Sequence, residues 1–220
     1  MHIKDLNLNE IWQDSFGWNG ENANPRKLDD ELERRFWVNL APRYTKEYNL
    51  NNDTPLLAEA LSKRIEKGST VLEIGPGSGN FTLLMAKYVG KIIGVDFSSA
   101  MLSELSARAK AGSITNIELV NAKWEDYTPT EKVDYIVSVN SLYRIKDMQS
   151  ALMKMYDSVN KGVILLRSIQ RPYFYELYKE LNLDCDVCLD YQLLPMYFWQ
   201  QDIYADVEFL NYNLLYFLLL

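Results

Sequence analysis

Histidine and cysteine are scarce in this sequence of 220 residues, which contains one histidine, His2, and two cysteines, Cys185 and Cys188. Because His2 lies near a chain end, where order is often poor, we expect no histidine to act as a general base. The cysteines form a single C-x-x-C pair, whereas a zinc site needs about four ligands. The sequence therefore predicts no metal site, and a redox role for the pair is the less favoured interpretation.

Long apolar runs and an excess of basic charge are also lacking. No run reaches the about 18 apolar residues of a membrane span, and residues 1–10 lack the apolar core of a signal peptide. We therefore expect a cytoplasmic protein with no membrane partner. The net charge is −7, from 23 Lys+Arg against 30 Asp+Glu. Since nucleic-acid-binding surfaces are usually basic, this acidity disfavours a nucleic-acid partner.

Short apolar segments alternate with amphipathic ones through the middle of the chain. Continuous apolar strands separated by helices indicate a parallel sheet covered on both faces. The predicted strands are 70–74, 91–95, 117–120, 133–139 and 163–167, and the predicted helices between them are 80–89, 98–111 and 147–159. At the N-terminal side, helices are predicted over 29–48, with a kink or restart at Pro42, and over 54–67.

The C-terminal part follows a different pattern. Residues 173–181 are predicted to be helical, and residues 205–212 and 214–219 are predicted to be strands joined by a very short turn at Asn213. A link of that length permits only an antiparallel pair.

A glycine-rich turn, Glu73-Ile74-Gly75-Pro76-Gly77-Ser78-Gly79, joins the first predicted strand to a helix. Such a turn lets the backbone come close to a ligand, and the helix start offers unpaired amides. Dinucleotide folds use G-x-G-x-x-G, but here Asn80 follows a G-x-G-x-G pattern. A P-loop would need a lysine, which is missing after Gly79. Both phosphate-binding interpretations therefore fit less well.

An acid, Asp96, ends the next predicted strand and is followed by Phe97. A carboxylate at this point can accept hydrogen bonds from both ribose hydroxyls, and Phe97 could pack on a base. Together, the glycine turn and Asp96 favour a nucleoside ligand.

The segments Glu73–Gly79 and Gly94–Leu102 resemble motifs I and II of class I S-adenosylmethionine-dependent methyltransferases. The resemblance covers roughly residues 36–167. It implies an α/β, Rossmann-like doubly wound fold with a mostly parallel seven-stranded sheet, a C-terminal antiparallel strand pair and an N-terminal helical lid. The lid would span residues 1–55, and residues 56–220 would form the cofactor-binding part of what is a single domain overall.

The resemblance also implies S-adenosylmethionine as the cofactor. The three glycines would line its methionyl part, Glu73 would hold the loop or the amino group, Asp96 would bind the ribose, and Asn140 would lie beside the transferable methyl group. The full implied set is Glu73, Gly75, Pro76, Gly77, Gly79, Asp96, Phe97, Met101, Asn121, Ala122, Trp124, Asn140, Trp37 and Tyr44.

Some of these positions leave alternatives open. Asn121 stands where the family often has an aspartate that accepts the adenine amine, and its amide oxygen could accept the same bond. Trp124 could pack beside the adenine or in the core. Trp37 and Tyr44 could contact the cofactor from the lid, as could Tyr48, or they could pack on the apolar face of their helix.

Methyl transfer from a sulfonium needs positioning and exclusion of water, and it needs a base only when the acceptor must lose a proton. The candidates for a catalytic group are Tyr143, which is preferred, Glu125 and Asp126. An Asn-Pro-Pro-Tyr motif, typical of enzymes that methylate nucleic-acid bases, does not follow the fourth strand. We expect a small-molecule substrate, with a protein side chain less favoured, and Arg144, Arg167, Arg171 and Tyr197 as its contacts.

Two other classes stay open at this point, a nucleotide-binding oxidoreductase and a non-catalytic module that binds the cofactor. A homodimer is a further hypothesis, because exposed aromatic residues after the fifth strand could form a dimer surface.

Overall fold

The computed structural model describes residues 2–20, 23–48, 53–168, 190–210 and 215–219. Within them, one mixed sheet contains the strands β1 Thr70–Ile74, β2 Lys91–Asp96, β3 Ile117–Asn121, β4 Val133–Val139, β5 Val159–Ser168, β6 Asp206–Leu210 and β7 Leu215–Leu219. The order across the sheet is β3-β2-β1-β4-β5-β7-β6. Strands β1 to β5 pair in parallel, whereas β7 is antiparallel to both β5 and β6. The predicted α/β fold on a parallel sheet is confirmed.

The described helices are α1 Leu8–Ser15, α2 Pro25–Leu28, α3 Asp30–Tyr48, α4 Asp53–Ser62, α5 Thr82–Met85, α6 Ser99–Ala111, α7 Met148–Asp157 and α8 Asp190–Gln200. Side-chain caps fix several starts, as when Ser98 accepts a hydrogen bond from the Met101 amide and Asp147 accepts one from the Ser150 amide. The predicted helix 173–181 and the turn at Asn213 lie outside the described residues.

Three predicted helices differ from the observed ones. Helix α4 ends at Ser62, whereas the prediction extended it to residue 67. Helix α3 runs without interruption through Pro42, so no helix restarts there. Helix α5 is shorter than predicted, because after Met85 the chain continues in tighter turns, in which the amide of Lys87 donates to Leu84 and that of Tyr88 donates to Met85.

The sheet is buried on both faces by alternating side chains. Leu72 and Ile136 face one core, which includes α1, α7 and α8, whereas Val71 and Val137 face a second core, which includes residues of α4 and α5. This period-2 alternation between two apolar layers explains why the strands read as continuous apolar runs.

The N-terminal segment divides into two parts. Trp12 of α1 is fully buried, stacks on Phe16 with ring centroids 4.0 Å apart, and donates from Nε1 to the Ile145 carbonyl at 2.7 Å. Helix α1 therefore belongs to the core. Of the described helices, α2 and α3, which we call the lid, lie over the carboxyl end of the sheet. Among the described residues, no helix has both the length and the apolar character needed to cross a membrane.

Candidate functional site

The strand order reverses between β1 and β4, and ligands of open α/β sheets bind in the crevice outside such a switch point. The ends of the two strands are joined by Ser141, whose hydroxyl donates to the Ile74 carbonyl at 2.5 Å. Gly75 has φ +67°, and a Cβ built on it would lie 2.3 Å from the Ser141 Cβ. Only glycine fits at this position, because both the conformation and the close approach exclude a side chain.

Asp96 connects the glycine loop to the end of β2. Its Oδ2 accepts a hydrogen bond from the Gly77 amide at 2.9 Å, and its Oδ1 accepts one from the Ser98 amide at 2.7 Å. Burial raises the pKa of Asp96, although these two hydrogen bonds oppose the rise. Each carboxylate oxygen keeps a second lone pair, so Asp96 can still accept hydrogen bonds from a ligand.

The other side of the loop is held by α6. A Cβ on Gly79 would lie 2.2 Å from Leu105 Cδ1, and Arg108 Nη1 donates to the Ser78 carbonyl at 2.5 Å and to Asn80 Oδ1 at 2.9 Å. Gly79 and Asn80 therefore fix the loop on α6. Pro76 packs towards Gly94 of β2, where a Cβ would lie 3.2 Å from its Cγ.

Glu73 is buried in β1, next to the loop in sequence. Burial raises its pKa to about 7, and the nearby charge of Asp96 adds to the rise. In the described part of the chain, no hydrogen bond reaches its Oε2. A buried carboxylate oxygen without a donor is costly, so this position favours a donor from a ligand or from water.

A cavity of about 520 Å³ lies between the glycine loop and the lid, a volume typical of small-ligand sites. It brings together most of the residues predicted for the cofactor, namely Gly75, Gly77, Asp96, Phe97, Met101, Ala122, Trp124, Asn140, Trp37 and Tyr44. Asn140 has φ +53°, a conformation that is uncommon outside glycine and concentrates at functional sites. Glu73, Pro76, Gly79 and Asn121 do not line this cavity.

Asn121 stabilises the turn after β2. Its Nδ2 donates to the carbonyls of Asp96 and Phe97, at 2.8 and 3.0 Å. Its predicted bond to an adenine amine stays a prediction. Trp124 is buried and donates from Nε1 to the Ala151 carbonyl at 3.2 Å, so it is a core residue that also reaches the cavity wall.

The ring of Phe97 lies among cationic side chains. The guanidinium carbons of Arg34 and Arg144 lie 4.5 and 5.0 Å from the ring centroid, and Lys123 Nζ lies 5.7 Å from it. These are cation–π distances, and Arg34 belongs to the lid. Phe97 therefore contacts the lid through Arg34, in addition to Arg144 and Lys123 of the body of the domain.

Asp30 of the lid makes a second contact with the body. Arg144 Nη2 donates to Asp30 Oδ1 at 2.9 Å and to the Lys27 carbonyl at 3.1 Å, and Lys123 pairs with the other oxygen of Asp30. Although burial opposes the shift, these cations lower the pKa of Asp30. Arg144 thus lines the cavity and is already engaged with the lid, and its predicted contact with a substrate stays a prediction.

Glu33 is one of several cavity residues that the sequence patterns did not indicate. Its side chain is 0% exposed, and its Oε1 accepts hydrogen bonds from Tyr143 at 2.7 Å and from Trp37 Nε1 at 2.8 Å. Arg26 Nε lies 3.1 Å from its Oε2. Burial and the charge of Glu33 both raise the pKa of Tyr143, so its hydroxyl stays protonated. The only sequence signal for Glu33 is its position one helical turn before Trp37.

Two predicted substrate contacts lie elsewhere. Tyr197 is wrong as a pocket residue, because on α8 it is completely buried in the core that includes α1, and its hydroxyl donates to the Leu8 carbonyl at 2.9 Å. Arg167 is buried in β5 and does not line the cavity. Arg171 lies outside the described residues, as do Cys185 and Cys188. In the described ranges, no group of three or more His, Cys, Asp or Glu side chains could hold a metal ion.

A crevice at the switch point, a glycine loop and an acid at the end of β2 define an α/β domain that binds a nucleoside-containing cofactor. A family model described as "Methyltransferase domain" matches residues 65–209, which is more than half of the chain. The chain therefore belongs to the class I S-adenosylmethionine-dependent methyltransferases, and its cofactor is S-adenosylmethionine.

Two curated proteins show similarity to part of the chain. Demethylmenaquinone methyltransferase of Listeria welshimeri is 27% identical over 103 residues, which are 45% of this chain and 44% of that protein. Ribosomal protein L11 methyltransferase of Alkaliphilus oremlandii is 32% identical over 119 residues, or 51% and 37% of the two chains. The chain thus spans less than half the length of these relatives.

Among solved structures, the DhpI–SAH complex has a TM-score of 0.59 at 15% identity and covers 86% of this chain and 94% of that chain. At this identity the likeness shows the fold alone.

Proposed function

We propose that this protein transfers a methyl group from S-adenosylmethionine to a small molecule held beneath the lid. The observation that carries the proposal is the cavity itself. It is lined by Gly77 and Asp96 from the cofactor-binding loops, by Glu33 from the lid and by Tyr143 from the segment after β4. One cavity that joins a cofactor region to a buried polar pair is suited to a reaction between two small molecules.

The predicted cofactor contacts fit this arrangement. A Cβ on Gly77 would have no atom within 4 Å, so the loop leaves space on the cavity side, and Asp96 offers two carboxylate oxygens for ribose hydroxyls. When bound, S-adenosylmethionine supplies an activated methyl group. The protein orients the reacting groups through Asp96 and Asn140, and the lid excludes water.

The cavity favours a small acceptor over a macromolecule. Its walls are rich in aromatic side chains, and Asp30 already engages Arg144 and Lys123, which a nucleic-acid backbone would otherwise attract. The name of the Listeria relative points to a small-molecule acceptor. The name of the Alkaliphilus relative points to a protein side chain, which is the second candidate. A homodimer and a cytoplasmic location stay predictions.

Methyl-labelled S-adenosylmethionine tests the proposal when it is incubated with the protein and an extract of the source organism. After the remaining S-adenosylmethionine is removed and the products are separated by size, we expect a labelled small-molecule product that depends on the wild-type protein and is absent with Asp96→Ala. Asp157→Ala, an exposed acid at the end of α7, is the matched control. Label in protein would favour the second candidate, and binding of the cofactor without any labelled product would indicate a non-catalytic module.

A further inference from the structure

We propose that Tyr143 and Glu33 form a proton relay, and that this relay selects methyl acceptors with an O–H or N–H group on a flat, apolar body. The inference rests on the proposed function and names the acceptor class and a catalytic residue for it. Tyr143 is the catalytic residue, since it meets the acceptor, and Glu33 is the positioning residue that acts through it.

The direction of the relay follows from burial and from the hydrogen bond that joins the pair. Tyr143 is partly exposed at the cavity wall, whereas the Glu33 side chain has no exposed surface. The Tyr143 hydroxyl donates its proton to Glu33 Oε1 at 2.7 Å. Its oxygen therefore keeps lone pairs that can accept a hydrogen bond from the cavity side, and a proton from the cavity reaches Glu33 through Tyr143.

The carboxylate is held in place for this role. Trp37 Nε1 donates to the same Oε1 at 2.8 Å, and Arg26 Nε lies 3.1 Å from Oε2, where it compensates part of the buried charge. Within the described residues, Oε2 accepts no hydrogen bond. The ion pair on Oε2 and the Trp37 hydrogen bond on Oε1 therefore hold the carboxylate with Oε1 against the Tyr143 hydroxyl, which is the geometry that a proton transfer from Tyr143 needs.

The proposed step balances in atoms and electrons. The lone pair of the acceptor oxygen or nitrogen forms the new bond to the methyl carbon, and the methyl–sulfur bond breaks with its electron pair left on sulfur. The acceptor proton moves to the Tyr143 oxygen while the Tyr143 proton moves to Glu33 Oε1. Glu33 then returns its proton to solvent once the lid opens. No oxidant, reductant or metal is needed.

The walls around the pair indicate the shape of the acceptor. Trp37 and Tyr44 line the cavity with ring centroids 5.7 Å apart and rings nearly perpendicular, at 79°. Such an aromatic corner favours a flat ring that packs on one face and meets the other edge-on. A phenol or an aromatic amine combines this body with the proton that Tyr143 accepts.

Binding of two simple probes separates this role from a structural one. Phenol and anisole share the ring, but anisole lacks the proton and is the more apolar, so an unspecific pocket binds anisole at least as well. We would titrate both into the wild-type complex with S-adenosylhomocysteine, and into Tyr143→Phe and Glu33→Gln. The matched controls are Tyr156→Phe and Glu31→Gln, since Tyr156 and Glu31 are exposed and Glu31 lies on the lid.

We expect phenol to bind the wild-type complex about tenfold more tightly than anisole, as one hydrogen bond to a charged relay implies. Tyr143→Phe should abolish this preference and Glu33→Gln should reduce it to about threefold or less, while both keep their affinity for S-adenosylhomocysteine within about threefold. The controls should keep the full preference. If the contact between Glu33 and Tyr143 only held the lid in place, both variants would bind phenol, anisole and S-adenosylhomocysteine more weakly and to the same extent.

Equal binding of phenol and anisole by the wild type, or a preference that survives Tyr143→Phe, would overturn the relay. No detectable binding of phenol at millimolar concentration would overturn it as well. These outcomes leave the methyl-transfer proposal intact as long as S-adenosylhomocysteine binds. If the wild type fails to bind S-adenosylhomocysteine, the proposed function itself fails.

Discussion

Alanine substitutions in the glycine loop test whether Gly75 and Gly77 serve different purposes. Both have positive φ, +67° and +56°, but a Cβ at Gly75 would lie 2.3 Å from Ser141 Cβ, whereas one at Gly77 would meet no atom within 4 Å. We therefore expect Gly75→Ala to damage the fold and Gly77→Ala to damage mainly the ligand site. Gly68, with φ +82° and open space around its Cβ, is the control for conformation alone.

The magnitudes follow from two costs. A left-handed conformation costs an L-residue about 1–2 kcal/mol, which all three variants share. Overpacking against Ser141 adds about 1–3 kcal/mol for Gly75→Ala alone. The free energy of unfolding should therefore fall by about 2–5 kcal/mol for Gly75→Ala and by about 1–2 kcal/mol for Gly77→Ala and Gly68→Ala.

Urea unfolding followed by circular dichroism gives the stabilities, and calorimetric titration with S-adenosylhomocysteine gives the affinities. Gly77→Ala should weaken binding at least about tenfold, because its Cβ occupies the cavity side of the loop, while Gly68→Ala should bind normally. A Gly75→Ala variant no less stable than Gly68→Ala would contradict the steric role of Gly75, and a Gly77→Ala variant that binds as tightly as the wild type would contradict the ligand-binding role of Gly77.

Three further substitutions test the core position of Tyr197, the support that Arg108 gives to the glycine loop and the raised pKa of Glu73. Tyr197→Phe should lower the free energy of unfolding by about 1 kcal/mol, because the bond to the Leu8 carbonyl is lost, and S-adenosylhomocysteine affinity should not change; a weaker affinity would return Tyr197 to the site. Arg108→Ala should reduce that affinity about fivefold to tenfold in calorimetry, since Asn80 and the loop lose their support, and unaltered binding would contradict this. Glu73 has its pKa raised from 4.5 to about 7 in the folded state, so its contribution to stability is present below about pH 4.5 and is lost as pH rises through 7. In urea unfolding without cofactor, the free energy of unfolding of the wild type should therefore fall by about 3 kcal/mol relative to Glu73→Gln between pH 4.5 and pH 7. Parallel pH profiles of the two unfolding free energies would contradict the raised pKa of Glu73.

Local sequence patterns were sufficient to predict the fold and the position of the glycine loop. Continuous apolar strands predict a parallel sheet because burial on both faces requires them, and Ser98 and Asp147 mark helix starts through their caps. Gly75, Gly77 and Asp96 lie close in sequence to the strand ends that bring them together, so their spacing carries the information.

Trp37, Tyr44 and Tyr143 are predicted for the site and line the cavity. The contact between Glu33 and Tyr143, however, could not be found from local patterns. Glu33 and Tyr143 lie 110 positions apart and meet only through packing of the lid on the body. On its helix, Glu33 is one acid among several. Tyr197 fails for the opposite reason, because an aromatic-rich segment has the same composition whether it lines a pocket or fills a core. Tertiary contact decides both cases.

Calorimetric titration of the wild-type protein with S-adenosylmethionine and S-adenosylhomocysteine, beside NAD and ATP, shows which cofactor the glycine loop binds. We expect micromolar binding of both sulfur compounds, no comparable binding of NAD or ATP, and loss of the signal in a folded Asp96→Ala variant. Binding of NAD or ATP in their place would contradict the assignment of the glycine loop and everything inferred from it.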